Sequence, residues 1–534
     1  MQLLDYLIIG LTFLFFPLVN HSILSFWGDP DKLHAESDLR RVRLEEHLQK
    51  LDRLFGSRWT IPLLLTAFSC AFWKFLNWKQ LDSTLTLQIF IAIICTIICW
   101  KGITLDVDLV TQKPSRQHRI LFGLSWVGVL FYPGFLIFFL YVGIQFMRAW
   151  YHHQLMSLRL LQMFCSFLAA TALVNTFQLI FTNPQTPQLA TPLFLFLWVL
   201  AAHYCYSGFS KLKLGKHWYS WLWHNKIHYL AISAYMWGWL KSQNPKQRIQ
   251  WIQYLAPFDR LFQIGALLFE CCWILAGFSL GLAKILCLCA VGFHVGIFAL
   301  TGIFFWQSIL IQYTFFCLLN TLQASTAAAL FNPANGILFA SLLLIILSLK
   351  KLWPPLKLAW WDAPYIGRIH WYVIGKSGKR YGLYNNFLDP HERFFGRHTP
   401  FFLIPHKMFH GHLGEVDSIE LRDAIQATKG NLEEIDNLRA RYGYFVHHPI
   451  LEQRHDQYIK EFFRNFNTGE AKHRCPAWLK APGGQFYYWG RLPPFTGQEP
   501  VEQVLLFFTE EFYNEKEILI IREEFLRALI IEND

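Results

Sequence analysis

The feature that most constrains this chain is a series of apolar runs of the length that crosses a membrane as a helix. Spanning the hydrocarbon core of a bilayer takes about 20 apolar residues. Such runs fall at roughly 6–26, 60–77, 84–104, 120–147, 158–182, 191–208, 261–278, 280–306, 308–320 and 336–349. Only 16% of the residues are charged and 54% are hydrophobic. The sequence therefore predicts an α-helical, multi-pass integral membrane protein with about nine or ten spans.

The distribution of basic residues predicts an orientation. The loop at 27–59 carries seven Lys and Arg residues, and such loops favour the cytoplasmic side. Counting spans from there puts His153 and Lys211 together on the outer face, because two runs lie between them. The lysines at 211–226 oppose this orientation, so either the orientation is reversed or these lysines are kept for chemistry.

The character of the chain changes near residue 350, at Pro354-Pro355 and Trp360-Trp361. We expect a helical membrane domain at 1–350 and a soluble mixed α/β domain at 351–534. Within the second domain, the residue patterns predict strands at 370–374, 380–384 and 486–491. They predict amphipathic helices at 416–441 and 449–466. The pattern at 501–531 is ambiguous between strand and helix. The net charge of +11 is typical of basic residues that flank membrane helices. Without a basic-aromatic module, no nucleic-acid partner is predicted.

Lys211 directly follows the apolar run 191–209. Partial burial, together with the nearby Lys213 and Lys216, would favour a neutral amine, which is the form that acts as a general base. The alternative is a snorkelling lysine that ends a helix. His153 lies beside Trp150 at a predicted membrane interface, where histidine and aromatic residues are also ordinary.

His294 lies in the middle of an apolar run, so its side chain is expected to face the bundle interior or a cavity. Metal binding is the competing chemistry for the 21 histidines. The pairs and clusters that could serve it are His224 with His228, His406 with His410 and His412, and His447 with His448. His152-His153 and His447-His448 both lack the preceding histidine of an HxxHH box. A di-iron membrane oxidase is therefore a lesser alternative, and no metal is expected.

Two short motifs resemble the membrane core of the vitamin K-dependent gamma-glutamyl carboxylase family, also called the horizontally transferred transmembrane (HTTM) domain. Trp150 and His153 match a W-x-x-H motif. The segment 206–212, from Tyr206 to Leu212, resembles a motif whose lysine is the catalytic base, and here that lysine is Lys211. Phe293-His294 matches a later Phe-His pair on a membrane helix. The resemblance covers roughly residues 5–350.

The resemblance implies a carbon-carbon lyase type of activity: quinol- and oxygen-dependent carboxylation or oxygenation. Lys211 would be the base, and His153 would position the reacting oxygens. His294, Trp150 and Tyr206 would bind the cofactor, a vitamin K-type hydroquinone, with O2 and CO2 as co-substrates. The partners of the protein would be membrane lipid, a lipid-soluble quinone and a peptide or protein substrate. If the protein is bacterial, its location would be the inner or plasma membrane.

The sequence departs from the carboxylase family at three places. Two lie in the segment 206–212, and the third is the C-terminal region. Ser207 replaces the usual alanine, Ser210 replaces an additional lysine, and residues 350–534 do not resemble the carboxylase's lumenal region. A non-catalytic membrane protein, serving transport or assembly, remains the alternative from a different class. The sequence lacks the paired broken helices of inverted-repeat transporters, which disfavours transport.

Overall fold

Fifteen helices precede the first strand in the part of the chain that a computed structural model of the protein describes. The described residues are 1–25, 50, 60–76, 81–103, 116–147, 155–181, 186–238, 244–349, 353, 359–383, 401–444, 446–469 and 492–532. The helices, numbered in chain order, are α1 Leu3–Ser25, α2 Thr60–Phe75, α3 Leu81–Ile103, α4 Arg116–Phe131, α5 Leu136–Met147, α6 Leu155–Phe181, α7 Ala190–Leu212, α8 Ser220–His224, α9 Ile227–Met236, α10 Pro245–Leu255, α11 Asp259–Cys272, α12 Leu280–Thr301, α13 Trp306–Asn320, α14 Ala324–Leu330 and α15 Pro333–Ser348. Apolar runs predicted most of these helices.

The number of helices that can span a membrane is smaller than predicted. Among the described residues, three helices are long and apolar enough, at Met156–Gln178, Ala190–Leu212 and Leu280–Thr301. The bent pair of α14 and α15 would add a fourth. Within the described residues, the other apolar helical stretches have 10–17 residues. The expected nine or ten spans are therefore not supported.

One apolar run divides into two helices for a local reason. The run at 120–147 was predicted as a single span, but α4 ends at Phe131 and a 3-10 turn occupies Pro133–Phe135 before α5. Proline has no N–H to donate to the preceding turn, so it ends α4. A Cβ on Gly134 would lie 2.6 Å from Cys70 Cα, so glycine there also permits close contact with α2.

Helix α7 is the centre of the bundle. Every residue from 193 to 202 is buried, and the helix contacts α6, α11, α14 and α15. Its side chains pack in aromatic pairs, such as Phe196 against Phe164 and Trp198 against Phe13. A helix that is apolar on all sides belongs in the interior of a bundle. Polar side chains on α7 are therefore held in fixed positions by the surrounding helices.

The C-terminal part is built on an antiparallel sheet. Its strands are β1 Trp361–Asp362, β2 Tyr365–Gly375, β3 Arg380–Gly382, β4 Glu415–Val416, β5 Val501–Tyr513 and β6 Ile518–Ile530, with helices α16 Ile419–Ala427, α17 Leu432–Tyr442 and α18 Pro449–Asn467. The four-stranded sheet has the order β3-β2-β5-β6, and β1 pairs with β4. The predicted hairpin of β2 and β3 is confirmed, the ambiguous tail forms β5 and β6, and the predicted strand at 486–491 lies outside the described residues.

The sheet is joined to the helical part by a buried polar contact. Asn225 Nδ2 donates to Asp362 Oδ2 at 2.7 Å, and the Asp362 amide donates to Asn225 Oδ1 at 2.9 Å. Burial raises the pKa of Asp362 to about 6, with Asp259 adding to the effect. The change of character predicted near 350 falls between Ser348 and Trp361, while the division into domains 1–350 and 351–534 stays a prediction.

Candidate active site

Lys211 forms a buried ion pair with Glu270. Lys211 Nζ lies 2.6 Å from Glu270 Oε1 and 2.7 Å from Oε2, and the exposed fractions of the two side chains are 13% and 4%. Ser207 Oγ accepts a hydrogen bond from Lys211 Nζ and donates one to Glu270 Oε1, both at 2.8 Å. The three side chains form a closed triangle between α7 and α11.

This environment differs from the one expected for Lys211. Lys213 and Lys216 were expected to repel the ammonium charge, but both are exposed to solvent. The charged group in contact with Lys211 is instead the Glu270 carboxylate, which attracts the ammonium. The effect expected of these neighbouring lysines on Lys211 stays a prediction.

A close approach of two helices makes the triangle possible. A Cβ on Gly208 would lie 2.9 Å from Cys271 Sγ and 3.1 Å from Glu270 Cβ. Glycine at this position lets the α11 backbone come near α7, which brings Glu270 within reach of residues on the preceding and following turns of α7. Gly208 lies inside the motif that carries the family resemblance, so this residue has a structural role here.

A second buried polar group lies on the same face of α7. Residues 204, 207 and 211 are spaced by three and four, which places them on one side of a helix. Tyr204 OH lies 2.8 Å from His294 Nε2, and Gln312 Nε2 donates to Tyr204 OH at 3.4 Å. His294 is buried within the bundle, as its apolar run predicted. One face of α7 thus connects Lys211 with His294.

Aromatic rings surround this second group. Tyr204 stacks on Trp273 at 5.0 Å between centroids, and His294 lies 5.4 Å from Phe305. Three buried polar atoms here have no hydrogen-bond partner within the described residues: His294 Nδ1, Trp273 Nε1 and Gln312 Oε1. A buried polar atom without a partner is costly. These donors and acceptors are therefore available to a ligand that offers polar atoms on a flat ring.

The other predicted site residues are not joined to this face. Tyr206 is half-buried on α7, but its position two residues after Tyr204 turns it to the opposite side of the helix. His153 and Trp150 lie outside the described residues, so their placement stays a prediction. Lys211 and Tyr204, which contacts His294, share one face of α7, and Tyr206 lies on another.

Glu270 is the residue of the candidate site that the sequence did not predict. It interrupts an apolar run between Leu267 and Trp273, and an acidic residue within such a run calls for a partner. That signal was available. Its pairing with Lys211 was not, because the two are 59 residues apart and periodicity carries no information on which helices are neighbours.

The histidine pairs considered for metal binding have other partners. His228 Nδ1 lies 2.5 Å from Asp259 Oδ2, whereas His224 is exposed. His410 accepts from the Gly367 amide at 2.9 Å and contacts Gly411 O at 2.6 Å. His406 and His447 contact carboxylates, Glu524 and Glu452, each at 2.8 Å. Across the described ranges, no group of three or more potential ligands is placed to hold a metal ion.

The sheet approaches the ion pair through tryptophans. Lys211 Nζ lies 5.3 Å from the Trp221 ring centroid. Trp221 Nε1 donates to Trp360 O at 3.2 Å, and Trp360 Nε1 donates to Asp362 Oδ1 at 3.0 Å. This end of α7 is therefore covered by α8 and by the start of the C-terminal part.

Comparison of the chain with protein-family models, with curated proteins and with solved structures finds no match. The resemblance to the carboxylase core therefore depends on the motifs alone.

Proposed function

We propose that the protein is a multi-pass membrane enzyme that carries out quinol- and oxygen-dependent carboxylation or oxygenation, with Lys211 as its base. The observation that carries the proposal is the buried Lys211–Glu270 pair, on the face of α7 that also holds the Tyr204–His294 contact. Ionisable residues within membrane helices are costly and mark functional sites. Lys211 lies in the segment 206–212 that resembles the carboxylase family, and His294 belongs to the Phe293-His294 pair that also matches it.

A reduced quinone fits the residues beside His294. The ring of Phe305, which lies 5.4 Å from the His294 ring, suits a flat ligand. His294 Nδ1 and Gln312 Oε1 have no partner within the described residues and suit its polar substituents. When bound, the quinol would be oxidised as O2 is reduced, which supplies the strong base that removes a carbon-bound proton before CO2 adds to the carbanion. The helical bundle would keep water from that base.

The residues of this chain would handle the first proton. Within the ion pair, Lys211 can pass its proton to Glu270 directly, because the nitrogen and oxygen are 2.6 Å apart. Such a transfer would leave a neutral amine beside a neutral acid. In that state Lys211 Nζ can accept a proton from a quinol hydroxyl, while Ser207 holds the amine in position.

The test begins with purification in native lipid and identification of any bound quinone and metal. Protein supplied with reduced quinone, O2 and labelled CO2 should then incorporate label into protein or peptide. The absence of incorporation with every quinone tried would contradict the carboxylase proposal. Oxygen consumption without label would favour oxygenation instead.

A further inference from the structure

We propose that an exposed collar on this protein, formed by residues 213–224 and residues 258–262, binds the anionic headgroups of a lipid bilayer. The collar presents two lysines and an arginine, Lys213, Lys216 and Arg260, among exposed aromatic side chains. This inference is independent of the catalytic proposal, because it uses none of the residues of the ion pair.

Three large aromatic side chains of the collar are exposed. Trp218 is 65% exposed, Trp223 55% and Phe258 52%. The guanidinium of Arg260 lies 4.6 Å from the centroid of the Trp223 ring, which joins α8 to the first turn of α11. Large aromatic side chains are rarely clustered on a water-exposed surface, and tryptophan is enriched where membrane proteins meet the headgroup layer.

Helix α11 has the polarity of a lipid-facing helix. Its buried residues are Asp259, Gln263, Leu267 and Glu270, whereas Leu261, Ile264 and Leu268 are 64%, 45% and 58% exposed. A helix at a water-exposed surface has the reverse arrangement, with apolar residues buried. The exposed apolar face of α11 is therefore expected to contact lipid hydrocarbon, beginning at Leu261, directly after Arg260.

The charge of this part of the chain matches an anionic surface. Residues 212–258 contain six basic residues and no Asp or Glu. The basic residues are Lys213, Lys216, Lys226, Lys241, Lys246 and Arg248. Anionic lipid attracts basic segments next to membrane helices, so the aromatic residues and the charge specify the same partner.

The collar also lies where a headgroup layer is expected. The candidate span Ala190–Leu212 ends one residue before it, and Lys213 and Lys216 are the first exposed cations after that span. The collar is thus continuous with the end of a membrane helix. A phosphate-bearing headgroup at this depth can reach Lys216 and Arg260 while its acyl chains cover Leu261 and Leu268.

The test is native mass spectrometry of the full-length protein, released from detergent with equal amounts of phosphatidylglycerol and phosphatidylcholine. Wild-type protein should retain phosphatidylglycerol preferentially. In the variant Lys216→Gln/Arg260→Gln, the preference for phosphatidylglycerol over phosphatidylcholine should fall roughly fivefold for each charge removed. The matched control is Lys376→Gln/Lys379→Gln, which removes two exposed lysines at the β2–β3 turn and should retain the wild-type preference.

An unchanged preference in the collar variant would overturn the proposal, and so would the absence of any preference in wild-type protein. A change in oligomeric mass with unchanged lipid would assign the surface to a second copy of the chain and also overturn it. If the double variant does not fold, Lys216→Gln alone decides, because this side chain is exposed on a loop. Loss of carboxylation without loss of lipid preference would affect only the catalytic proposal.

Discussion

The carboxylate of Glu270 holds the amine of Lys211 at 2.6 Å across the contact between α11 and α7. Both side chains are largely buried, and Ser207 bonds to each of them. The pair therefore joins two helices and at the same time holds the proposed base. The structural role is tested by the stability of variants, and the role as base is tested by their activity.

Removal of one member of the pair should destabilise the protein. Lys211→Met leaves a buried carboxylate and Glu270→Gln leaves a buried ammonium, and each should cost about 3–5 kcal/mol in the free energy of unfolding. The double variant should be more stable than the sum of the single effects predicts. Thermal unfolding in detergent measures all three, with Lys213→Met as an exposed control. Additive effects would contradict a direct pair.

Gly208→Ala should separate α7 from α11. The added Cβ would meet Cys271 Sγ at 2.9 Å and Glu270 Cβ at 3.1 Å, so we expect a destabilisation of about 1–3 kcal/mol. Gly265→Ala is the matched control, because it lies on the same helix pair and its Cβ would meet nothing within 4 Å. Equal melting temperatures for the two variants would contradict the close approach of α7 and α11 at Gly208.

His410 should make the C-terminal part sensitive to acid. Burial lowers the pKa of His410 from 6.5 to about 4. Because the folded value lies below the unfolded one, stability is fully present above pH 6.5 and is lost as the pH falls towards 4. The loss should approach about 3 kcal/mol relative to His410→Gln, measured as denaturant midpoints at each pH. A wild-type slope equal to that of the variant would contradict this.

The sequence predicted the helices well because hydropathy is local. It identified the run that became α7, the β2–β3 hairpin, and the buried position of His294. It failed on the number of spans, since an apolar run such as 120–147 does not reveal the break at Pro133. The role of Tyr206 stays a prediction, because a motif match does not state which side of the helix the site occupies.

The partner of Lys211 could not be predicted from local pattern. The environment expected for the lysine came from Lys213 and Lys216, which are close to it in sequence and exposed to solvent. Glu270 reaches it through a tertiary contact that depends on Gly208, and such contacts are not visible in periodicity. The polar link from Tyr204 to His294 was missed for the same reason, as the two residues are 90 positions apart.

The central claim, that Lys211 is the base, is tested most directly by incorporation of labelled CO2 with reduced quinone and O2. Lys211→Ala should lower the rate by about 10²–10⁴-fold, which is the contribution of a general base, while the protein remains folded by circular dichroism. Lys213→Ala, an exposed neighbour, should retain the wild-type rate. A folded Lys211→Ala variant with full activity would contradict the account.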